Sequence, residues 1–144
     1  MLDPPAPVGA GRRCICGDEG NRGFPMQRFT ELKVWQRSHA LVLELYRITG
    51  GFPAEEPFAL TSQLRQAATS VPTNIAEGSR RQGNPDYARF LNIAQGSVAE
   101  VEYLLILSRD LGYISPTAFD RLVAEVDEIA RMLHGLRAKV EAAT

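Results

Sequence analysis

The chain has 144 residues and a formal net charge of −1. That length suits one domain with one core, and the balance of charge gives no global attraction for nucleic acid or an anionic membrane. No run of 18 apolar residues occurs, and the N-terminus lacks a basic stretch followed by an apolar one. Neither a membrane-spanning helix nor a secretory signal is therefore expected, and the expected compartment is the cytoplasm.

Residues 1–28 are rich in Pro and Gly and show no apolar period. They are expected to form a disordered tail, because such a segment buries too little surface to offset its ordering entropy. Residues 29–144 are expected to form the folded domain. Met26 stands just before the patterned region and is an alternative natural start. The two cysteines, Cys14 and Cys16, make a lone CxC in the tail. A structural zinc site needs four ligands, so no metal and no other cofactor is expected.

A first helix is predicted from about Thr30 to Thr49, with Thr30 as its cap and Gly50-Gly51 as a left-handed stop. Leu32, Trp35, His39, Val42 and Tyr46 step by three and four, as core positions do. Leu41, Leu45 and Ile48 form a second apolar stripe. The second helix spans about Phe58 to Arg81, with Leu60, Leu64, Ala67, Val71 and Ile75 buried. Pro72 interrupts that pattern, and an interior proline costs ~3 kcal/mol. The apolar period resumes at Ile75, which predicts a kink and not a break. Ala67 and Ala68 leave room for a close neighbour.

Asn84-Pro85 reads as the cap and first residue of a third helix that ends near Leu111 and Gly112. Phe90, Ala94, Ser97, Val101, Leu104, Ser108 and Leu111 mark one line; Tyr87, Leu91, Val98 and Leu105 form another. Ser115-Pro116 opens a fourth helix by the same logic, with Phe119, Leu122, Val126, Ile129, Leu133, Leu136 and Val140 as its apolar line. Four amphipathic helices with short links predict an all-α, antiparallel up-down-up-down four-helix bundle. The second stripes on helices one and three exceed what one core needs. One reading is an oligomer interface formed by Leu41, Leu45, Ile48, Leu91, Val98 and Leu105. The other is a wide core face.

Catalysis has little to stand on. There is no Glu-x-x-His pair for a di-metal bundle site. Ser70, Thr73 and Ser97 have no base placed to activate them, and His39 and His134 lie in separate helices. Asn74, Glu77 and Arg81 share one helix face just past Pro72. Arg80, Arg81 and Arg89 cluster at the second turn, with Arg65 on the same helix. Together, Arg65, Asn74, Glu77, Arg80, Arg81 and Arg89 form a candidate polar or nucleic-acid site. A structural reading competes, in which Asn74 serves carbonyls released by the proline and Glu77 pairs with Arg81. Glu77 and Asp86 also limit phosphate attraction, so any nucleic-acid binding is expected to be weak.

Two runs carry a resemblance, LTSQLRQAATSVPTNIAEGSRR and YARFLNIAQGSVAEVEYLL. With FTELKVWQRSHALVLELYRIT before them, they resemble the four-helix-bundle family encoded by intervening sequences in bacterial 23S rRNA genes. That family includes accessory proteins of diversity-generating retroelements. The matching polar positions here are Gln63, Arg65, Asn74, Glu77, Gly78, Arg81, Ser97 and Glu100. One departure is Gln66, where the family often places a second arginine; this weakens any basic groove.

The resemblance implies a small cytosolic bacterial protein that assembles as a homopentamer, with no catalytic residues to carry over. The expected function is a non-catalytic binding or scaffold role. An RNA- or DNA-binding accessory, tied to rRNA or a reverse transcriptase, is the alternative, and a hydrolase is a weaker one. No small-molecule substrate or membrane partner is expected.

Overall fold

A computed structural model of the chain describes residues 28–54 and 59–143. The expected disordered tail up to residue 27, its cysteines and Met26 lie outside the described residues. After a short 3-10 turn at Phe29–Glu31 come α1 (Lys33–Thr49), α2 (Leu60–Ser79), α3 (Asn84–Asp110) and α4 (Pro116–Ala142). No strand occurs among the described residues, and the fold is all-α.

The helix ends follow from local chemistry, with three departures from expectation. Ser115 caps α4 by accepting a hydrogen bond from the Ala118 amide at 3.1 Å, and Pro116 follows it. Gly112 takes φ +79° just past α3, a left-handed conformation that glycine adopts without a Cβ penalty. Asn84, however, is not the cap of α3. That position falls to Gly83 at φ +97°, and no side chain bonds there. Extended Leu32, not Thr30, precedes α1; the Thr30 carbonyl instead accepts from the Gln36 amide at 2.9 Å. Gly50 is right-handed, so α1 does not end in a left-handed cap.

Each helix packs on the next, and α4 returns to α1. Pairing runs antiparallel. Arg37 meets Glu125, while the later Glu44 meets the earlier Arg121. Ser70 touches Ser97, while Gly78 lies against Phe90. Arg137 reaches Asn92, while Arg109 covers Phe119. These are the neighbour relations of an up-down bundle. α2 continues through Pro72 as one helical element with the ring buried, consistent with a kink and not a break.

The core corrects the assignment of the stripes. Leu45, Leu91 and Leu105 are fully buried within the single chain, and Leu41 and Val98 nearly so. They fill the bundle's own interior with Leu64, Ile75 and Leu133, and Ile48 packs half-buried against them. An interface between folded copies cannot use them. On α1, the line read as core is split: Val42 is buried, Leu32 and Trp35 pack half-buried against the core, and His39 and Tyr46 are exposed.

The physical reason lies in two hydroxyls. Ser38 and Thr49 are buried on the true core face because they donate to the Val34 and Leu45 carbonyls at 2.6 Å. A hydroxyl satisfied by its own helix carries little desolvation penalty. Two polar letters therefore sit among inward residues and disguise the stripe.

α3 alone among the described helices is long and apolar enough to cross a membrane by length and composition. Its apolar residues from Phe90 to Leu105 are largely packed on α2 and α4, so its hydropathy is that of a core helix.

Candidate functional site

The polar residues of α2 and α3 are arranged around one close helix contact. Gly78 makes that contact. A Cβ there would stand 2.8 Å from the Phe90 Cβ and 2.9 Å from the Tyr87 ring. No bulkier residue fits without displacing α3. One to two turns back, Asn74 Nδ2 donates to the Ser70 carbonyl at 2.7 Å and approaches its hydroxyl at 3.0 Å. The Ser70 and Ser97 hydroxyls bond at 2.8 Å and join α2 to α3. Thr73 donates to the Thr69 carbonyl at 2.7 Å. Thr73 and Asn74 thus bond the Thr69 and Ser70 carbonyls of their own helix, and not the Ala68 carbonyl from which Pro72 withholds a donor, so the expected role of Asn74 is not the one seen.

At the end of α2 the arginines gather around aromatic rings. Arg81 and Arg89 lie on the Phe90 ring at 4.8 and 4.6 Å. Both also reach one carboxylate, Asp86, at 3.9 and 2.9 Å. Arg80 sits over Phe29 at 5.6 Å and makes no ion pair among the described residues. Phe29 in turn meets Trp35 edge-on at 5.4 Å, and Trp35 stacks on His39 at 5.1 Å. Burial pushes the Tyr87 phenol above its usual range.

The six residues grouped from the sequence do not form one site. Arg80, Arg81 and Arg89 converge at the α2–α3 turn, with Asn74 and Glu77 further back on α2. Arg65 lies fifteen residues before Arg80, about 22 Å along the helix at 1.5 Å per residue. There it donates to the Thr49 hydroxyl at 2.9 Å and the Tyr46 carbonyl at 3.1 Å, and stacks on the Tyr46 ring at 4.4 Å. It ties the end of α1 to α2, on the wall of an open cleft of about 830 Å³. Glu77 is exposed and does not pair with Arg81, which turns to Asp86.

Sequence reasoning passed over Phe29 and Phe90 as seats for the arginines. Nothing in the residue spacing puts Phe29 near Arg80, since only the antiparallel fold joins them. Gly78 was the legible case: a glycine inside a helix costs about 1 kcal/mol against alanine, which asks for a reason.

The comparisons bear on this arrangement. A model of the 23S rRNA-intervening sequence protein family matches residues 30–135. The chain belongs to that family. The match spans α1, α2, α3 and most of α4, including Gly78 and the Asn74–Ser70–Ser97 link. A solved structure from Bacteroides thetaiotaomicron VPI-5482, described as a protein of unknown function from the S23 ribosomal protein family, has the same fold. It superposes with a TM-score of 0.65 at 24% identity, covering 72% of this chain and 97% of that one. No functionally curated protein matches the chain. The family assignment thus brings a fold and no activity.

Proposed function

We propose that this family member is a non-catalytic, cytoplasmic binding bundle that associates first with copies of itself. The observation that carries this reading is a set of large apolar side chains left in water. Leu43, Tyr46, Ile93, Tyr103 and Leu111 are each between 41% and 60% exposed. Four of them fall on two separate helices, Leu43 and Tyr46 on α1 and Ile93 and Tyr103 on α3, so each helix offers an outer apolar pair that a second copy could cover. The hydroxyls that might serve chemistry are engaged elsewhere: Ser70 and Ser97 bond each other, and Thr73 bonds its own helix. A count of five subunits rests on the family resemblance.

The test is the mass of the purified protein in solution by light scattering at micromolar concentration. An oligomer of defined mass is expected; a monomer would overturn the reading.

Nucleic-acid binding is the second reading, favoured by Arg81 and Arg89 sharing the one carboxylate of Asp86 while Arg80 at the same turn sits over Phe29. Binding by such a group should be electrostatic and fall steeply with salt.

A further inference from the structure

We propose that the cleft between the end of α1 and the start of α2 binds a small hydroxylated oxyanion, the chemistry shared by sugar phosphates and sugar acids. The site is built by one chain and does not depend on self-association.

One wall of the cleft is the outer side of α2. Thr61, Ser62, Arg65, Gln66 and Thr69 line it. Their spacing puts them on one side of the helix, turned away from the buried Leu64, Ala67, Ala68 and Val71. The other wall is the end of α1 at Tyr46, Thr49 and Gly50, continued by residues 52–54. The space between the walls is about 830 Å³ and opens to solvent, a size that suits a small molecule. Nothing in the residue spacing announces it, because the two walls come from different helices.

Arg65 carries the site. A guanidinium can hold a pair of acceptors along its side edge, through Nε and Nη2, or along its end edge, through Nη1 and Nη2. The side edge of Arg65 is spent within the protein: Nε donates to the Thr49 hydroxyl at 2.9 Å and Nη2 to the Tyr46 carbonyl at 3.1 Å. The Thr49 hydroxyl is itself fixed, because it is buried and donates to the Leu45 carbonyl at 2.6 Å. The Tyr46 ring backs the guanidinium at 4.4 Å. These contacts hold the group in one orientation and leave the end edge for two oxygens of one oxyanion, the bidentate geometry that arginine serves best.

The neighbours of Arg65 set the class of ligand. Unlike Arg37, Arg109, Arg121 and Arg131, it pairs with no carboxylate among the described residues, and the described lining of the cleft contains none. Glu55 and Glu56 of the loop before α2 lie outside the described residues. The cleft therefore offers a fixed positive charge to a single anionic head. The Thr61 and Ser62 hydroxyls and the Gln66 amide bond no other group among the described residues. They lie within a turn of Arg65 and can both donate and accept, which matches the hydroxyl groups of a polyol. The Tyr46 ring is taken by the guanidinium and Phe52 is buried, so an aromatic ligand finds little to stack on.

The test is a titration of the full chain with glucose 6-phosphate and with gluconate, and with glucose as the neutral control, followed by amide chemical shifts in NMR. Saturable shifts at Thr61, Ser62, Gln66 and Thr69 are expected with at least one of the two anions and not with glucose. A response to glucose 6-phosphate alone assigns the head as a phosphate monoester; a response to gluconate alone assigns a carboxylate. Gln66→Glu sets like charge against the anion at an exposed position outside the core. It should weaken binding by about tenfold or more. Ala124→Glu makes the same change of charge at an exposed position of α4 and should leave binding unchanged. Arg65→Lys keeps the charge and loses the fork, so it should weaken binding too; circular dichroism checks that the bundle remains helical when this brace is altered. Absence of saturable shifts with both anions would overturn the site. So would an equal response to glucose, or binding that Gln66→Glu leaves intact.

Discussion

Gly78 shows how much one hydrogen atom can decide. The Phe90 Cβ it faces is fixed to the α3 backbone and cannot swing aside. Gly78→Ala gains helix propensity of about 1 kcal/mol but overpacks the contact, which typically costs about 1–3 kcal/mol. A net loss of stability is expected in denaturant melts, whereas the same change at Gly96, where a Cβ would meet nothing within 4 Å, should stabilise. Trp35 belongs to the same scale. It is half-buried between Phe29 and His39, so Trp35→Ala should cost less than the roughly 3–5 kcal/mol of a fully buried aromatic. A loss within that range in a urea titration would place the ring in the core.

Pairs of helices are held by a small number of polar links over the apolar contact. Between α2 and α3 the link is the chain Asn74–Ser70–Ser97. Removing Asn74 or Ser97 to alanine should each cost about 0.5–1.5 kcal/mol, the net worth of a typical hydrogen bond. Both groups depend on Ser70, so the double variant should cost less or more than the sum. A strictly additive pair in a thermodynamic cycle would mean the three do not act together.

Between α1 and α4 the link is the Arg37–Glu125 fork, two bonds of 2.8 Å. The Arg37 hydrogen bond holds the Glu125 carboxyl below its usual range. The folded state therefore keeps the carboxylate ionised at pH values where the unfolded chain takes up a proton. Its stabilisation is present above the unfolded value, about pH 4.3, and is lost as pH falls through the depressed folded value. The pair is partly exposed, so the effect is small. Parent and Glu125→Gln should differ in melting temperature at neutral pH and converge in acid.

For the whole molecule, the decisive property is an uneven surface. Arg80, Arg81 and Arg89 stand at one end, and apolar stripes run along α1 and α3. If the arginine end binds nucleic acid, an oligonucleotide should bind weakly near physiological salt, and Arg80→Ala with Arg81→Ala should reduce the salt dependence. Submicromolar binding lost in that double variant would shift the conclusion from protein scaffold to nucleic-acid partner. Arg65→Ala should leave binding unchanged and lower stability instead, because its guanidinium holds the end of α1.

Four helices, their order and most of their ends could be read from the chain, because period, proline and glycine act locally. Pro116 after Ser115 and Gly112 after α3 mean the same thing in any helical protein. Gly78 and Ser97 could be named only as positions of the family's motif; that they meet α3 and α2 is a result of the fold. The chain could not say which of two neighbouring apolar stripes turns inward. Leu41 and Leu45 of one stripe and Val42 of the other went to the core, and Tyr46 to the surface, because that choice depends on how α1 rotates against α2 and α4. Ser38 and Thr49 can lie on the buried face because each bonds a carbonyl of its own helix. Likewise the arginines could be counted but not placed. Arg65 and Arg80 share a helix and lie far apart along it, while Arg80 and Phe29 are distant in sequence and meet in space. Local propensity is written residue by residue; the facing of helices is a property of all four packed at once.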